Sequence, residues 1–295
     1  MDAHRAGSAE KEIIINLTSN WMGQSDMTYV VKTVELPNAL NINFAEQGDS
    51  SPVPLLLLHG YIDSWHSFEL VLPYLPESIH TFALTQRGHG ESSRPMTGYS
   101  VKILAADLLD FMDKLNVEKA VVTGGSSGAF TARRFAIDHP ERTSGLVLIG
   151  SPLSLRDKPG VLELWNSTIS KLTDPIDPSF VRKFAESTFS LAIPQEFMDK
   201  IIKENLKVPA HVWKSALKGL LEDNTSTHLY KIECPALLIW GDKDTIVAKS
   251  DQEAMANAIT NSQLIIYPGA GHALYCEEPA RIASDISVFI TKLLS

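Results

Sequence analysis

The chain has 295 residues, 44% of them apolar and 21% charged, so its composition predicts a folded globular protein with a sizeable core. The formal net charge of −9 argues against a nucleic-acid partner, because neutralising phosphates requires clustered Lys and Arg. Two cysteines, Cys234 and Cys276, are too few for a disulfide framework and fit a reducing compartment. The chain shows neither a signal-peptide pattern nor an apolar run of bilayer length. We therefore expect a cytoplasmic protein without a membrane span.

Strand-like and helix-like patterns alternate along most of the chain. Residues 1–28 are polar and weakly periodic, and we expect them to form an N-terminal arm. Short apolar runs follow at residues 30–36, 41–45, 53–59, 79–84, 120–124, 146–150, 236–240 and 264–267. The first two runs alternate in polarity, as in an antiparallel hairpin, whereas most later runs are continuous, as in strands covered on both faces. Because helical patterns separate the later runs, the sequence predicts an α/β protein with a mostly parallel sheet.

A long helical segment interrupts this alternation. Residues 152–230 carry only helical patterns, and Pro194 and Pro209 stand where helices could begin. Open α/β sheets bind ligands at the carboxyl ends of their strands. We therefore predict that 152–230 is a helical cap over that edge, and that 29–151 and 231–295 together form the sheet domain.

The most informative motif is a glycine-rich turn between a strand and a helix. Residues 124–128 read Gly-Gly-Ser-Ser-Gly and match the Gly-x-Ser-x-Gly nucleophile elbow. Such a sharp turn strains the central residue and lifts its side chain above the sheet, while the flanking glycines avoid collisions with nearby backbone. We predict that Ser126 is a nucleophile. Ser127 is the alternative, although its own window would need glycine where Ala129 stands.

Two later strand ends supply an acid and a base. A serine hydroxyl needs a base to remove its proton, and in this elbow the partners follow in the order serine, acid, histidine. The run 236–240 leads into a loop with Asp242 and Asp244, and the run 264–267 leads to His272. We predict Asp244 as the acid, with Asp242 as the alternative, and His272 as the base.

A third strand end predicts the oxyanion hole. His59-Gly60-Tyr61 closes an apolar strand at the position where the elbow's second backbone donor arises. The backbone N–H groups of Tyr61 and Ser127 are therefore predicted to hold the oxyanion, and losing one such donor typically costs about 2.7–4 kcal/mol of transition-state stabilisation. His59 and His89 are interpreted as structural.

These motifs together resemble the α/β-hydrolase superfamily. The resemblance rests on His59-Gly60, Arg-Gly-His-Gly-Glu-Ser at 87–92, the elbow at 124–128, Gly-Asp-Lys-Asp at 241–244 and Gly271-His272. It implies eight strands with an antiparallel start, a cap after the sixth strand, and neither a metal nor an organic cofactor. Serine at 126 separates the chain from haloalkane dehalogenases and epoxide hydrolases, which have aspartate there. Thr85 departs from the acid that the family often has before Arg87.

The expected reaction is hydrolysis of small, apolar carboxylic esters through an acyl-enzyme on Ser126. A lactonase, carbon–carbon bond hydrolase, perhydrolase or acyltransferase would use the same triad, since fold and triad do not specify the substrate. A ligand receptor on a hydrolase scaffold is an alternative from another class. The predicted cap holds six aromatic residues, which we expect mostly to form its core, with one or two lining the pocket: Trp165, Phe180, Phe184, Phe189, Phe197 and Trp213.

Overall fold

A computed structural model describes residues 13–14, 29–48 and 52–295. Its nine strands form one sheet in the order β1-β2-β3-β5-β4-β6-β7-β8-β9. The strands are β1 (Ile13–Ile14), β2 (Val30–Glu35), β3 (Asn41–Gln47), β4 (Leu55–Leu58), β5 (Thr81–Leu84), β6 (Ala120–Gly125), β7 (Thr143–Ile149), β8 (Ala236–Gly241) and β9 (Ser262–Tyr267). The helices are α1 (Val101–Lys114), α2 (Gly128–Asp138), α3 (Pro159–Ser167), α4 (Pro178–Glu186), α5 (Gln195–Leu206), α6 (Ala210–Leu221), α7 (Lys249–Ala258), α8 (Leu274–Glu277) and α9 (Pro279–Leu294).

The predicted fold class is confirmed by the pairing of these strands. Strands β1, β2 and β3 pair antiparallel, and β3 also pairs antiparallel with β5. From β5 through β4 to β9, every neighbouring pair is parallel. The eight strands from β2 onward are the predicted ones. The additional strand, β1, falls within the segment expected to be an arm, and its residues Ile13 and Ile14 pair with Val31 and Val30. The rest of 1–28 lies outside the described residues.

Continuous apolar strands account for a core on each face of the sheet. All four leucines of β4 are buried, and their side chains alternate between the two faces. Leu55 and Leu57 belong to one core cluster, and Leu56 and Leu58 belong to the other. The central strands are thus covered on both sides, as their unbroken hydrophobicity predicts.

Four helices, α3 to α6, lie between β7 and β8, which places them after the sixth of the eight predicted strands. We call residues 159–221 the helical insertion. Pro194 and Pro209 immediately precede α5 and α6, because proline lacks the N–H that a first helical turn leaves unpaired. The limits 152–230 for a separate cap domain stay a prediction.

The helical insertion packs directly on the sheet domain. Trp213 of α6 is fully buried in the same cluster as Leu55 and Leu57. The hydroxyl of Tyr61 donates to the Trp213 carbonyl oxygen at 2.6 Å. The insertion is therefore joined to the β4 end by both apolar and polar contacts. Within the ranges described, none of the helices combines the length and the apolar character needed to cross a bilayer.

Candidate active site

Ser126 stands at the turn between β6 and α2 with a strained backbone. Its φ of +49° lies in the left-handed region, which residues with a Cβ rarely adopt. A Cβ built on Gly124 would lie 2.5 Å from the Ala129 Cα. A Cβ on Gly128 would collide with the Leu58 carbonyl oxygen. Glycine is thus required on both sides of the serine, which is the geometry that the motif predicts.

Ser126, His272 and Asp244 come together although 146 and 28 residues separate the successive pairs. The Ser126 Oγ lies 2.8 Å from His272 Nε2, and His272 Nδ1 lies 2.8 Å from Asp244 Oδ2. The other carboxylate oxygen of Asp244 accepts the backbone N–H groups of Ile246 and Val247 at 2.8 and 2.9 Å. With its carboxylate fully buried and fixed by three donors, Asp244 can orient the imidazole and offset a positive charge on it.

In the part of the chain that the structure describes, His272 is hydrogen-bonded to neither of the two alternative residues. Asp242 accepts the Gly269 N–H at 2.7 Å, and 38% of its side chain is exposed. In the described part of the chain it makes no contact with His272, so its carboxylate closes the loop after β8. Ser127 is the cap residue immediately before α2 and likewise has no bond to His272 among the described residues.

The backbone N–H groups of Tyr61 and Ser127 flank the serine. Both residues line the same cavity as Ser126. Across residues 29–48 and 52–295, neither N–H has a hydrogen-bond acceptor. Ser127 precedes the first turn of α2, whose free N–H groups favour negative charge. The two donors are therefore available to a ligand oxygen.

Among the described residues, His59 and His89 bond to neighbouring backbone groups and not to Ser126. The His59 Nε2 accepts the Gln86 N–H at 2.9 Å. Burial, and then the neighbouring His89, hold the pKa of His59 well below its ordinary value. Burial likewise lowers the pKa of His89 to about 4. Both rings are therefore neutral at physiological pH, in keeping with a structural interpretation.

A cavity of about 430 Å³ opens above Ser126 and His272. This volume suits a small organic ligand. The helical insertion and the segment before it supply an apolar wall, formed by Leu155, Val161, Leu164, Phe180, Phe184, Phe189, Ile201, Leu217 and Leu220. Three of the six aromatic residues singled out by sequence line the cavity, rather than the expected one or two. Of the others, Phe197 and Trp213 are buried in the core cluster and Trp165 packs against it.

Several polar residues of the cavity carried no signal in the sequence analysis, among them Asp63, Asn205 and Tyr275. Asp63 follows the oxyanion loop by two residues, and burial raises its pKa to about 6. Tyr275 follows His272 by three residues. Their positions beside the two loops already singled out were the only available hint. The free Cys276 also lines the cavity, and burial raises the pKa of its thiol well above the usual range.

Comparison with known proteins identifies the family. The family model described as the alpha/beta hydrolase fold matches residues 53–279, which is more than three quarters of the chain. This chain belongs to the α/β-hydrolase fold family. The match spans all the motifs discussed above, from the oxyanion loop to the histidine loop.

Relatives of this α/β-hydrolase align over most of its length. A putative non-heme chloroperoxidase of Synechocystis is 29% identical over 266 residues, covering 84% of this chain and 94% of the relative. The 2-hydroxymuconate semialdehyde hydrolase of a Pseudomonas strain is 27% identical over 252 residues, covering 81% and 87%. Lipase 3 of a Moraxella strain is 23% identical, covering 88% and 84%. The family and its hydrolase-named relatives identify the chain as an enzyme with hydrolase activity.

Solved structures share the fold. A thermophilic esterase from Thermogutta terrifontis superposes with a TM-score of 0.79 at 24% identity, covering 97% of this chain and all of that one. An esterase from Exiguobacterium antarcticum gives a TM-score of 0.77 at 21% identity, covering 89% and 99%. At these identities the likeness shows the fold.

Proposed function

We propose that this α/β-hydrolase cleaves carboxylic esters of small, apolar substrates through an acyl-enzyme on Ser126. One observation carries the proposal: the Ser126 Oγ lies 2.8 Å from the Nε2 of His272, whose Nδ1 lies 2.8 Å from the buried Asp244 carboxylate. A serine, a base and an orienting carboxylate in this arrangement form the general device for acyl transfer.

The proposed reaction follows from these contacts. His272 Nε2 takes the Ser126 hydroxyl proton as the Oγ attacks the ester carbonyl carbon. The carbonyl oxygen then becomes an oxyanion, which the N–H groups of Tyr61 and Ser127 stabilise. The imidazolium gives its proton to the leaving alcohol oxygen, and the acyl-enzyme forms. Water then attacks the acyl carbonyl carbon while His272 takes a proton from it. The imidazolium returns this proton to the Ser126 Oγ as the carboxylic acid is released.

The apolar wall of the cavity supports the proposed substrate class. Phe180, Phe184 and Phe189 line the same cavity as the serine and histidine that would act on a carbonyl group. Apolar acyl or alcohol groups gain free energy by leaving water for such a surface. In this proposal the helical insertion acts as a cap that shields the reaction from bulk water. The names of the esterases and the lipase among the similar proteins point to the same class.

Hydrolysis of p-nitrophenyl esters of increasing acyl length tests the proposal. Ser126→Ala is expected to lower kcat by at least about 10³-fold while the unfolding temperature stays near that of the wild type. Ser127→Ala is the matched control, because its backbone N–H, and not its hydroxyl, is assigned to the oxyanion. Wild-type activity in pure Ser126→Ala protein would refute the acyl-enzyme.

The same assays separate the alternative reactions. Lactones, hydrogen peroxide and alcohols, offered as substrates or competing acceptors, report lactonase, perhydrolase and acyltransferase activity by their products. A 2-hydroxy-6-keto dienoate reports carbon–carbon bond cleavage. A receptor on this scaffold would instead show ligand binding with little turnover of any of these compounds.

A further inference from the structure

Tyr275 holds a fixed position against the nucleophile turn. It lies in α8 and is 4% exposed. Its ring packs against Phe68 with the centroids 5.0 Å apart. On the other side, a Cβ built on Gly125 would lie 2.6 Å from the ring. The ring is therefore clamped between the elbow and the short helix that contains Phe68, and its hydroxyl cannot move far.

The Tyr275 hydroxyl and Ser126 both approach Gly60 of the oxyanion loop. A Cβ built on Gly60 would stand 3.2 Å from the Tyr275 hydroxyl oxygen and 3.4 Å from the Ser126 Cβ. All three residues line the cavity. The Tyr275 hydroxyl is therefore near the part of the cavity in which a substrate of Ser126 would lie.

This hydroxyl has no hydrogen-bond partner within the part of the chain that the structure describes. The other four tyrosines that are buried or half-buried each donate to a protein oxygen: Tyr29 to Glu69, Tyr61 to Trp213, Tyr99 to Pro95 and Tyr267 to Asp285. The Tyr275 hydroxyl oxygen is not fully buried, and the cavity that it lines gives a water or a ligand access to it. An unpaired hydroxyl that faces a ligand cavity is suited to pair with the ligand.

The charges around Tyr275 define the atom it can bind. Burial, and then the carboxylate of Asp63, raise the pKa of Tyr275 well above its ordinary value, so the phenol stays protonated and can donate. Asp63 lines the same cavity, and with a pKa of about 6 it is ionised at neutral pH. Lys183, the one cation among the described residues of the lining, is exposed on α4. The local negative charge disfavours a substrate carboxylate beside the hydroxyl and favours a neutral acceptor.

We propose that the Tyr275 hydroxyl, held beside Ser126 and Gly60, donates a hydrogen bond to a neutral oxygen that the substrate carries near its scissile carbonyl. The preferred substrates are then esters with an ether, keto or hydroxyl oxygen within about three bonds of the ester group, in place of plain alkyl esters. This inference rests on the proposed esterase function and adds a specificity-determining residue to it.

A matched pair of substrates tests the inference on the acyl side. p-Nitrophenyl methoxyacetate and p-nitrophenyl butyrate differ by one oxygen in place of one methylene group. The ratio of their kcat/KM values is compared between the wild type and Tyr275→Phe, so that their different chemical reactivity cancels. We expect the ratio to fall about three- to tenfold in Tyr275→Phe, the usual effect of losing one neutral hydrogen bond. 2-Methoxyethyl and butyl hexanoate form the corresponding pair on the alcohol side, and a fall there places the acceptor in the alcohol.

Tyr267→Phe is the control variant, because it also removes a buried tyrosine hydroxyl but lies outside the cavity lining. Its two ratios should match those of the wild type. The inference is overturned if Tyr275→Phe leaves the kcat/KM ratio of both substrate pairs at the wild-type value. This includes the case in which the two esters of a pair lose activity equally. A larger loss for an ester bearing a carboxylate would overturn the neutral class. If the folded wild type hydrolyses none of the four esters, the proposed function fails first, and the inference fails with it.

Discussion

The ammonium group of Lys200, in the helical insertion, lies 2.7 Å from Glu69 Oε1 of the sheet domain. His66 contacts the other oxygen of this carboxylate at 2.6 Å, and the hydroxyl of Tyr29 donates to Oε1 at 2.9 Å. Burial alone would raise the pKa of Glu69, but His66 and Lys200 outweigh it and lower that pKa to about 2. The Glu69 carboxylate thus connects α5 of the helical insertion to the segment that follows β4.

Glu69→Gln is expected to destabilise the fold at neutral pH, because the folded-state pKa lies below the unfolded value of 4.5. A depressed pKa means that the ionised carboxylate stabilises the protein above pH 4.5 and that this contribution is lost as the pH falls towards 2. We expect a loss of about 2–3 kcal/mol in the free energy of unfolding at pH 7, measured by urea denaturation. Glu222→Gln, which removes an exposed pair with Lys218, is the control and should change little. Equal stability of both variants at pH 7 would contradict the assignment.

The carboxylates of the β8 loop are expected to differ in their effect on turnover. Asp244→Asn leaves His272 without its orienting anion, and we expect kcat to fall about 10⁴-fold in a folded enzyme. Asp242→Asn affects the bond to Gly269 and an exposed ion pair with Lys243, and it is expected to stay within a few-fold of the wild type. Steady-state hydrolysis of p-nitrophenyl butyrate by both variants measures the difference. A more damaging Asp242→Asn would exchange the two roles.

Two glycine-to-alanine changes are expected to act in opposite directions. At Gly128 the added methyl group collides with the Leu58 carbonyl oxygen, so Gly128→Ala should cost at least about 2 kcal/mol of stability and distort the elbow. At Gly160 in α3, no atom lies within 4 Å of the added Cβ, so Gly160→Ala should be neutral or stabilise by up to about 1 kcal/mol. Thermal unfolding of the two variants provides the comparison. A Gly128→Ala protein with wild-type stability and activity would refute the packing argument.

Asp63→Asn is expected to change how stability depends on pH. Burial raises the pKa of Asp63 from 3.8 to about 6, so the folded state binds this proton more tightly than the unfolded state does. Stability is then lost as the pH rises from 3.8 through 6. Between pH 5 and pH 8 the wild type should lose about 1 kcal/mol more than Asp63→Asn, as measured by denaturant unfolding at both values. Parallel pH profiles of the two proteins would place the Asp63 pKa near its ordinary value.

The sequence predicted the sheet well where strands are buried on both faces. β4 reads Leu-Leu-Leu-Leu, and its flanking turn residues limited it to within a few positions of its observed bounds. The ends were less accurate where a strand continues into polar sequence. β7 begins at Thr143, three residues before the apolar run, because the backbone pairs with β6 whatever the side chains are. Ile13–Ile14 was not predicted as a strand, since two residues give no periodicity to detect.

The candidate site was predictable only where a tight turn imposes a sequence motif. Glycine is required on both sides of Ser126, and His272 follows a glycine-containing loop. The local backbone geometry of both segments can therefore be recognised from their sequences. Tyr275 and Asp63 obey no such constraint, because their closeness to the serine depends on how α8 packs on the segment after β4. The order of residues along the chain does not by itself predict that packing. Residues that shape a substrate cavity are therefore harder to predict than residues that carry out the chemistry.

Tyr61 has its two ends in different parts of the molecule. Tyr61 lines the cavity beside Ser126, while its side-chain hydroxyl donates to the Trp213 carbonyl oxygen in α6. A shift of α6 would therefore displace Tyr61, whose backbone N–H is proposed to bind the substrate carbonyl oxygen. Any displacement of the helical insertion that carried α6 with it would thus also disturb the proposed oxyanion hole, so the proposed chemistry requires α6 in its observed place.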